Sequence, residues 1–107
     1  MDKQRTVEEI KKSVQDFCEA RDWDEYHHAK DLAIGLVTEA SELLEIFRFV
    51  SEAKTTGVLE EKREAIADEL ADSLFFILRF AGRFGFDLSE SLARKLEKNV
   101  KRYPPKR

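Results

Sequence analysis

Four acidic side chains stand where the chain's apolar rhythm asks for leucine. In "GLVTEASELLEIF", residues 35–47, Glu39 falls on the stripe between Leu36 and Leu43, and Glu42 lies one turn further. Glu69 and Asp72 repeat the pattern, on the row of Ala65, Ile66, Ser73, Phe76 and Phe80. Burying each such ion without a partner costs several kcal/mol even after relaxation. Mutual repulsion at ~4 Å adds roughly 4 kcal/mol per pair at an effective dielectric near 20. Arg79 and Lys30 are the nearest cationic side chains, and few others fall on these rows. A hard dication fits better. All four candidate ligands are oxygen donors and no His or Cys shares the rows, which selects Mg²⁺, with Mn²⁺ able to substitute, over zinc or copper. Mg²⁺ held by a few carboxylates keeps waters and bridges to substrate phosphates. Other acidic runs, "VEEIKK" and "EEKREA", lack the apolar row and read as solvated faces.

The four carboxylates converge only if their two helices are antiparallel neighbours. Thr6 with Glu9 forms a capping box that starts a first helix, striped by Val7, Ile10, Val14, Phe17 and Cys18. "RDWDEYHH" has no helical rhythm and reads as a loop. The second helix is expected from roughly Ala29 to Val50. "SEAKTTGVLE" carries turn signals around Gly57 and links to a third helix from about Glu60 to Phe84, closed by Gly82 and Gly85. Asp87 with Glu90 opens a fourth, striped by Leu88, Leu92, Leu96 and Val100 and stopped by Tyr103, Pro104 and Pro105. The expected architecture is an all-α four-helix bundle, one domain over residues 1–107. "SLFFILRF" in the third helix is apolar almost all round, more than so small a bundle can cover, which implies a homo-oligomer. Gly35 stands mid-helix at about 1 kcal/mol relative to Ala, which implies close backbone approach by a neighbouring helix.

Composition narrows the function classes. Charged residues make up 38% and hydrophobic ones 42%, as amphipathic helices require. The net charge of -3 gives no global attraction to nucleic acid or an anionic membrane, and neither is an expected partner. No apolar run approaches the ~18 residues of a membrane span, and "MDKQRTVEEI" has no signal-peptide core. Cys18 is the single cysteine and sits on an apolar stripe, so the expected compartment is the reducing cytoplasm.

The motifs resemble a known family. "EASE" and "ELAD" match the paired ExxE and ExxD signature of the MazG-like, all-α nucleoside triphosphate pyrophosphohydrolases. "RDWDEYHHAKDLAIGLVTEASELLEIFRF", "DELADSLFFIL" and "KLEKNVKRYP" are similar to its dCTP pyrophosphatase-like branch, over nearly the whole chain to Tyr103. The resemblance implies hydrolysis of (deoxy)nucleoside triphosphates, dCTP or modified pyrimidine dNTPs foremost, to monophosphate and pyrophosphate in a homodimer or homotetramer. It implies that Glu39, Glu42, Glu69 and Asp72 are the catalytic metal ligands. Trp23, His27, Phe49 and Phe76 match substrate-pocket positions, and Lys95, Asn99, Arg102 and Tyr103 match a phosphate-holding C-terminal motif. Taken alone, Trp23 reads as a loop anchor, His27 as a surface residue, and the last four as a basic helix end. From Arg94 onward seven Lys or Arg face one Glu. The branch carries Trp at Phe49, Tyr at Phe76 and His at Val14. Losing those polar groups leaves a broader pyrimidine preference, or a modified base such as 5-methyl-dCTP, open.

Two other classes fit the helices. A di-iron or metal-storage bundle needs Glu-x-x-His pairs, and neither row contains a His. A non-catalytic nucleotide-sensing or partner-binding module would use the "SLFFILRF" surface but has no need of four inward carboxylates.

Overall fold

The computed structural model describes residues 1–106. Among them are five α-helices and no strand: α1 (Val7–Glu19), α2 (Ala29–Phe47), α3 (Thr55–Glu61), α4 (Arg63–Phe84) and α5 (Leu88–Arg102). Short 3-10 turns cover Trp23–Glu25 and Glu52–Lys54. The all-α class stands, but the count of four does not. The link expected between the second and third helices carries α3, and the long helix bearing Glu69 begins at Arg63 rather than near Glu60. Gly57 and paired threonines weaken the local helix signal there. Packing of α3 against α4 supplies what propensity lacks.

Helix ends follow their local chemistry. Thr6 Oγ1 accepts from the Glu9 amide at 3.1 Å and Glu9 Oε1 accepts from the Thr6 amide at 3.0 Å, a complete capping box. Asp87 Oδ1 accepts from the Glu90 amide at 2.8 Å, which starts α5. Gly85 ends α4 in the left-handed conformation, φ 77°, with its amide donating to the Ala81 carbonyl at 2.9 Å. Gly82 lies inside the helix.

α4 is the hub. α2 packs along its length and α1 packs beside it, whereas α5 barely touches the other helices. The fully buried apolar residues are few: Cys18, Leu32, Leu78 and Ala81. Leu92, Leu96 and Val100 on the α5 stripe are each more than half exposed. One chain exposes 8848 Å² of surface, against about 6,200 Å² for a compact monomer of this mass. Its radius of gyration is 16.6 Å, against about 13 Å for a compact domain of this length.

Candidate active site

α2 and α4 run antiparallel, and the register is visible at two points. The Phe76 ring lies on Gly35, so closely that a Cβ there would meet the ring at 2.3 Å. The close neighbour that explains Gly35 is therefore an aromatic side chain and not a backbone. One turn on along α2 is Glu39, and one turn back along α4 is Asp72. An oxygen from each of Glu39, Glu69 and Asp72 lies within 4.8 Å of the other two. Glu39 and Glu69 are half-buried and Asp72 is exposed. Glu42 falls outside this tight trio, yet it faces both Glu39 and Glu69 closely enough to share a hydrogen bond with either when a proton is present.

Among the described residues the cluster has no ion-pair partner. Glu39 Oε2, Glu69 Oε2 and Ser73 Oγ are cut off from solvent and have no hydrogen-bond partner among the described residues. Burial first, then the shared hydrogen bond and charge of Glu42, then repulsion from Asp72 and Glu69, push the Glu39 carboxyl up to about 7. Burial, followed by Glu42 and Asp72, raises the Glu69 carboxyl likewise. Clustered carboxylates, two of them with a solvent-excluded oxygen that has no donor among the described residues, fit a hard cation, and an all-oxygen set fits Mg²⁺ or Mn²⁺ chemistry. Ser73 shares the row of Glu69 and Asp72 in the sequence, and its hydroxyl is likewise buried and unpartnered among the described residues.

Arg79, expected near the carboxylates, turns away from them. Its side chain is 1% exposed and forms an ion pair with Asp24. Its Nε donates to His27 Nδ1 at 2.9 Å. Arg83 Nη2 donates to the Asp24 carbonyl at 3.4 Å. These bonds fasten the Trp23–Glu25 turn onto α4, two turns beyond Asp72. The Arg79 hydrogen bond holds the Asp24 carboxyl below the usual carboxylate range. Burial, then the Arg79 charge, lowers His27. Asp22 enters the turn in the left-handed region, φ 56°, which Asp tolerates better than most residues.

Aromatic edges connect this turn to the carboxylate row. Trp23 packs against His27 and Phe17, both with ring centroids at 5.6 Å. Phe17 meets Phe75 at 6.2 Å, and Phe75 meets Phe76 at 5.4 Å. Trp23, His27 and Phe76 thus belong to one continuous wall. The other expected pocket residues are not brought to it within one chain. Phe49, past the end of α2, is 88% exposed, with the Arg48 guanidinium 5.1 Å from its ring. Lys95, Asn99, Arg102 and Tyr103 lie on or just after α5 and make no side-chain hydrogen bond or ion pair to the wall or the carboxylates among the described residues. No helix there is long and apolar enough to cross a membrane.

An all-helical chain with ExxE and ExxD pairs on adjacent antiparallel helices can be compared with known proteins. The MazG-like family model matches residues 34–107, and the chain belongs to that family. Over 101 residues it is 33% identical to rat dCTP pyrophosphatase 1 and 32% identical to the human protein of the same name. That match takes in 92% of this chain but 59% of each relative, so the chain spans about three-fifths of their length. A solved pyrophosphatase structure from Archaeoglobus fulgidus superposes with a TM-score of 0.90 at 33% identity, covering 95% of both chains.

Proposed function

We propose that this chain hydrolyses nucleoside triphosphates to the monophosphate and pyrophosphate, with Mg²⁺ as cofactor and Mn²⁺ able to replace it. The observation that carries this reading is the pair of solvent-excluded, unpartnered oxygens on Glu39 and Glu69, with Asp72 completing a trio inside 4.8 Å. Glu39, Glu42, Glu69 and Asp72 would hold the metal. When bound, Mg²⁺ supplies neutralisation of the phosphate charge and a water of lowered pKa. A carboxylate of the four would take a proton from the attacking water as the water oxygen bonds to the α phosphorus, and the phosphoanhydride bond between the α and β phosphates would break with pyrophosphate leaving. The Trp23 face stacks on the base, a contact worth ~1–3 kcal/mol, while Phe76 closes the wall between base and phosphates.

The substrate class we favour is dCTP or a modified pyrimidine dNTP, and the role is clearance of such nucleotides from the cytoplasmic pool. Homodimers or homotetramers are part of the proposal. The surface of one chain exceeds that of a compact monomer by about 2,700 Å², so two chains together have about 5,400 Å² to cover, the upper end of what obligate interfaces bury. In the oligomer Phe49 and the α5 group, Lys95, Asn99, Arg102 and Tyr103, reach substrate, the two cations serving the phosphates. The mammalian and archaeal relatives support the reaction class by their names.

The test is a product assay on canonical and modified NTPs and dNTPs, with and without Mg²⁺, resolving pyrophosphate from single phosphate. Mg²⁺-dependent monophosphate plus pyrophosphate is the expected outcome. Nucleotide binding without cleavage by folded, Mg²⁺-loaded protein would replace the enzyme with a nucleotide-sensing module.

A further inference from the structure

Arg79 is the most fully buried charged residue among those described, and neither the metal cluster nor the hydrolytic reaction requires it. Its surroundings are nonetheless built. The guanidinium is always protonated, so Nε can only donate. The atom that receives it, His27 Nδ1 at 2.9 Å, must therefore offer a lone pair. An imidazole whose Nδ1 is so engaged is neutral and carries its proton on Nε2. Among the described residues His27 Nε2 has no hydrogen-bond partner, and it is not among the solvent-excluded unpartnered atoms, so this N–H reaches solvent beside the Trp23 ring. Asp24 supplies the opposite charge that makes burial of Arg79 viable.

The placement of these groups along α4 adds the second argument. Asp72, Phe76 and Arg79 fall at i, i+4 and i+7, one face of one helix. The anchor of the Trp23 turn thus stands about 10 Å along the axis from the carboxylate cluster. Both ends of the site are fixed to a single rigid element.

We propose that Arg79 is a positioning residue of the base pocket: it holds the Trp23–His27 turn at a set distance from the carboxylates and fixes His27 as an Nε2–H donor. The pocket then favours bases that present an acceptor, a ring nitrogen or carbonyl oxygen, to that N–H. The substrate part of this inference rests on the nucleotide reading above, whereas the tautomer and the anchoring do not.

Trp23 is the single tryptophan of the chain, so its emission reports this turn alone. Three measurements on the full chain test the proposal. Nitrogen-15 NMR of the wild-type protein at neutral pH should show His27 protonated at Nε2 only; an Nδ1–H tautomer or an imidazolium overturns it, and no variant is needed. Arg79→Met and Arg79→Lys should raise the acrylamide quenching of Trp23 several-fold, because neither restores the fork that grips Asp24 and His27 together. With dCTP and Mg²⁺, both should raise KM on the order of tenfold with kcat kept within about twofold. Unchanged quenching and KM in a folded variant, or an equal fall in kcat, overturns the positioning role. If the wild type cleaves no nucleotide, the hydrolase reading falls, while NMR and quenching still decide the Arg79 anchor.

Discussion

α4 carries two clusters of charge that solve the same problem in opposite ways. Around Arg79 the buried charge faces its complement: Asp24 takes the guanidinium and His27 takes Nε–H. Around Glu69 and Asp72, four acids face one another and two carboxylate oxygens have neither solvent nor partner. The paired cluster fixes a loop. The unpaired cluster is the one to which the proposed function assigns a ligand of positive charge. What sets them apart is whether the described chain supplies its own counter-ion.

The strongest way to break this contrast is to neutralise the unpaired side. Glu39→Gln or Asp72→Asn should lower Mg²⁺-dependent turnover of dCTP by about 10²–10³-fold. The same variants in EDTA should melt no lower than wild type, because they remove repulsion; a large drop in Tm would mean the acids have a structural partner after all.

The paired side responds differently, and unequally by partner. Asp24 is 48% exposed and Arg79 1%. Removing Asp24 strands a buried cation, so Asp24→Ala should clearly lower the urea midpoint. Removing Arg79 leaves a carboxylate that water can reach, and should cost less. Equal costs would show that the pair is not asymmetric as its exposure requires.

The smallest effect is on pH dependence in the metal-free protein. The Glu39 carboxyl rises from 4.5 to about 7 on folding and Glu69 also rises. The folded state therefore holds more protons, and stability from these groups, full below the ordinary carboxylate range, is lost as pH climbs to about 7. Asp24 and His27 shift downward. Their contribution is present above their unfolded values, 3.8 and 6.5, and is lost as pH falls through the lower folded ones. The double variant Glu39→Gln, Glu69→Gln should remove the first trend and leave urea midpoints that rise with pH. Saturating Mg²⁺ should suppress the first trend in wild type, and a midpoint slope indifferent to both changes would count against the unpaired cluster.

Much of the carboxylate site was legible in the sequence because its signal is local. Acids three apart on an apolar row are visible without knowing what they meet, and so are the Thr6 box and the Gly85 stop. Arg79 was not legible. It stands in the same row, and its partners Asp24 and His27 lie 55 and 52 residues away in a segment with no periodicity. Only the folded chain shows that the obvious counter-ion is already taken. The α3 segment was missed for the converse reason, since packing on α4 overrides weak propensity. The α5 stripe was read correctly as amphipathic, but a stripe does not say what covers it.

Gly35 carries no polar side-chain atom, yet it bears on where the acids stand. The Phe76 ring fills the space that a Cβ on Gly35 would occupy. One turn away lie Glu39 on α2 and Asp72 on α4. The approach of the two acid-bearing helices is thus tied to a position that offers no charge, through the absence of one carbon atom.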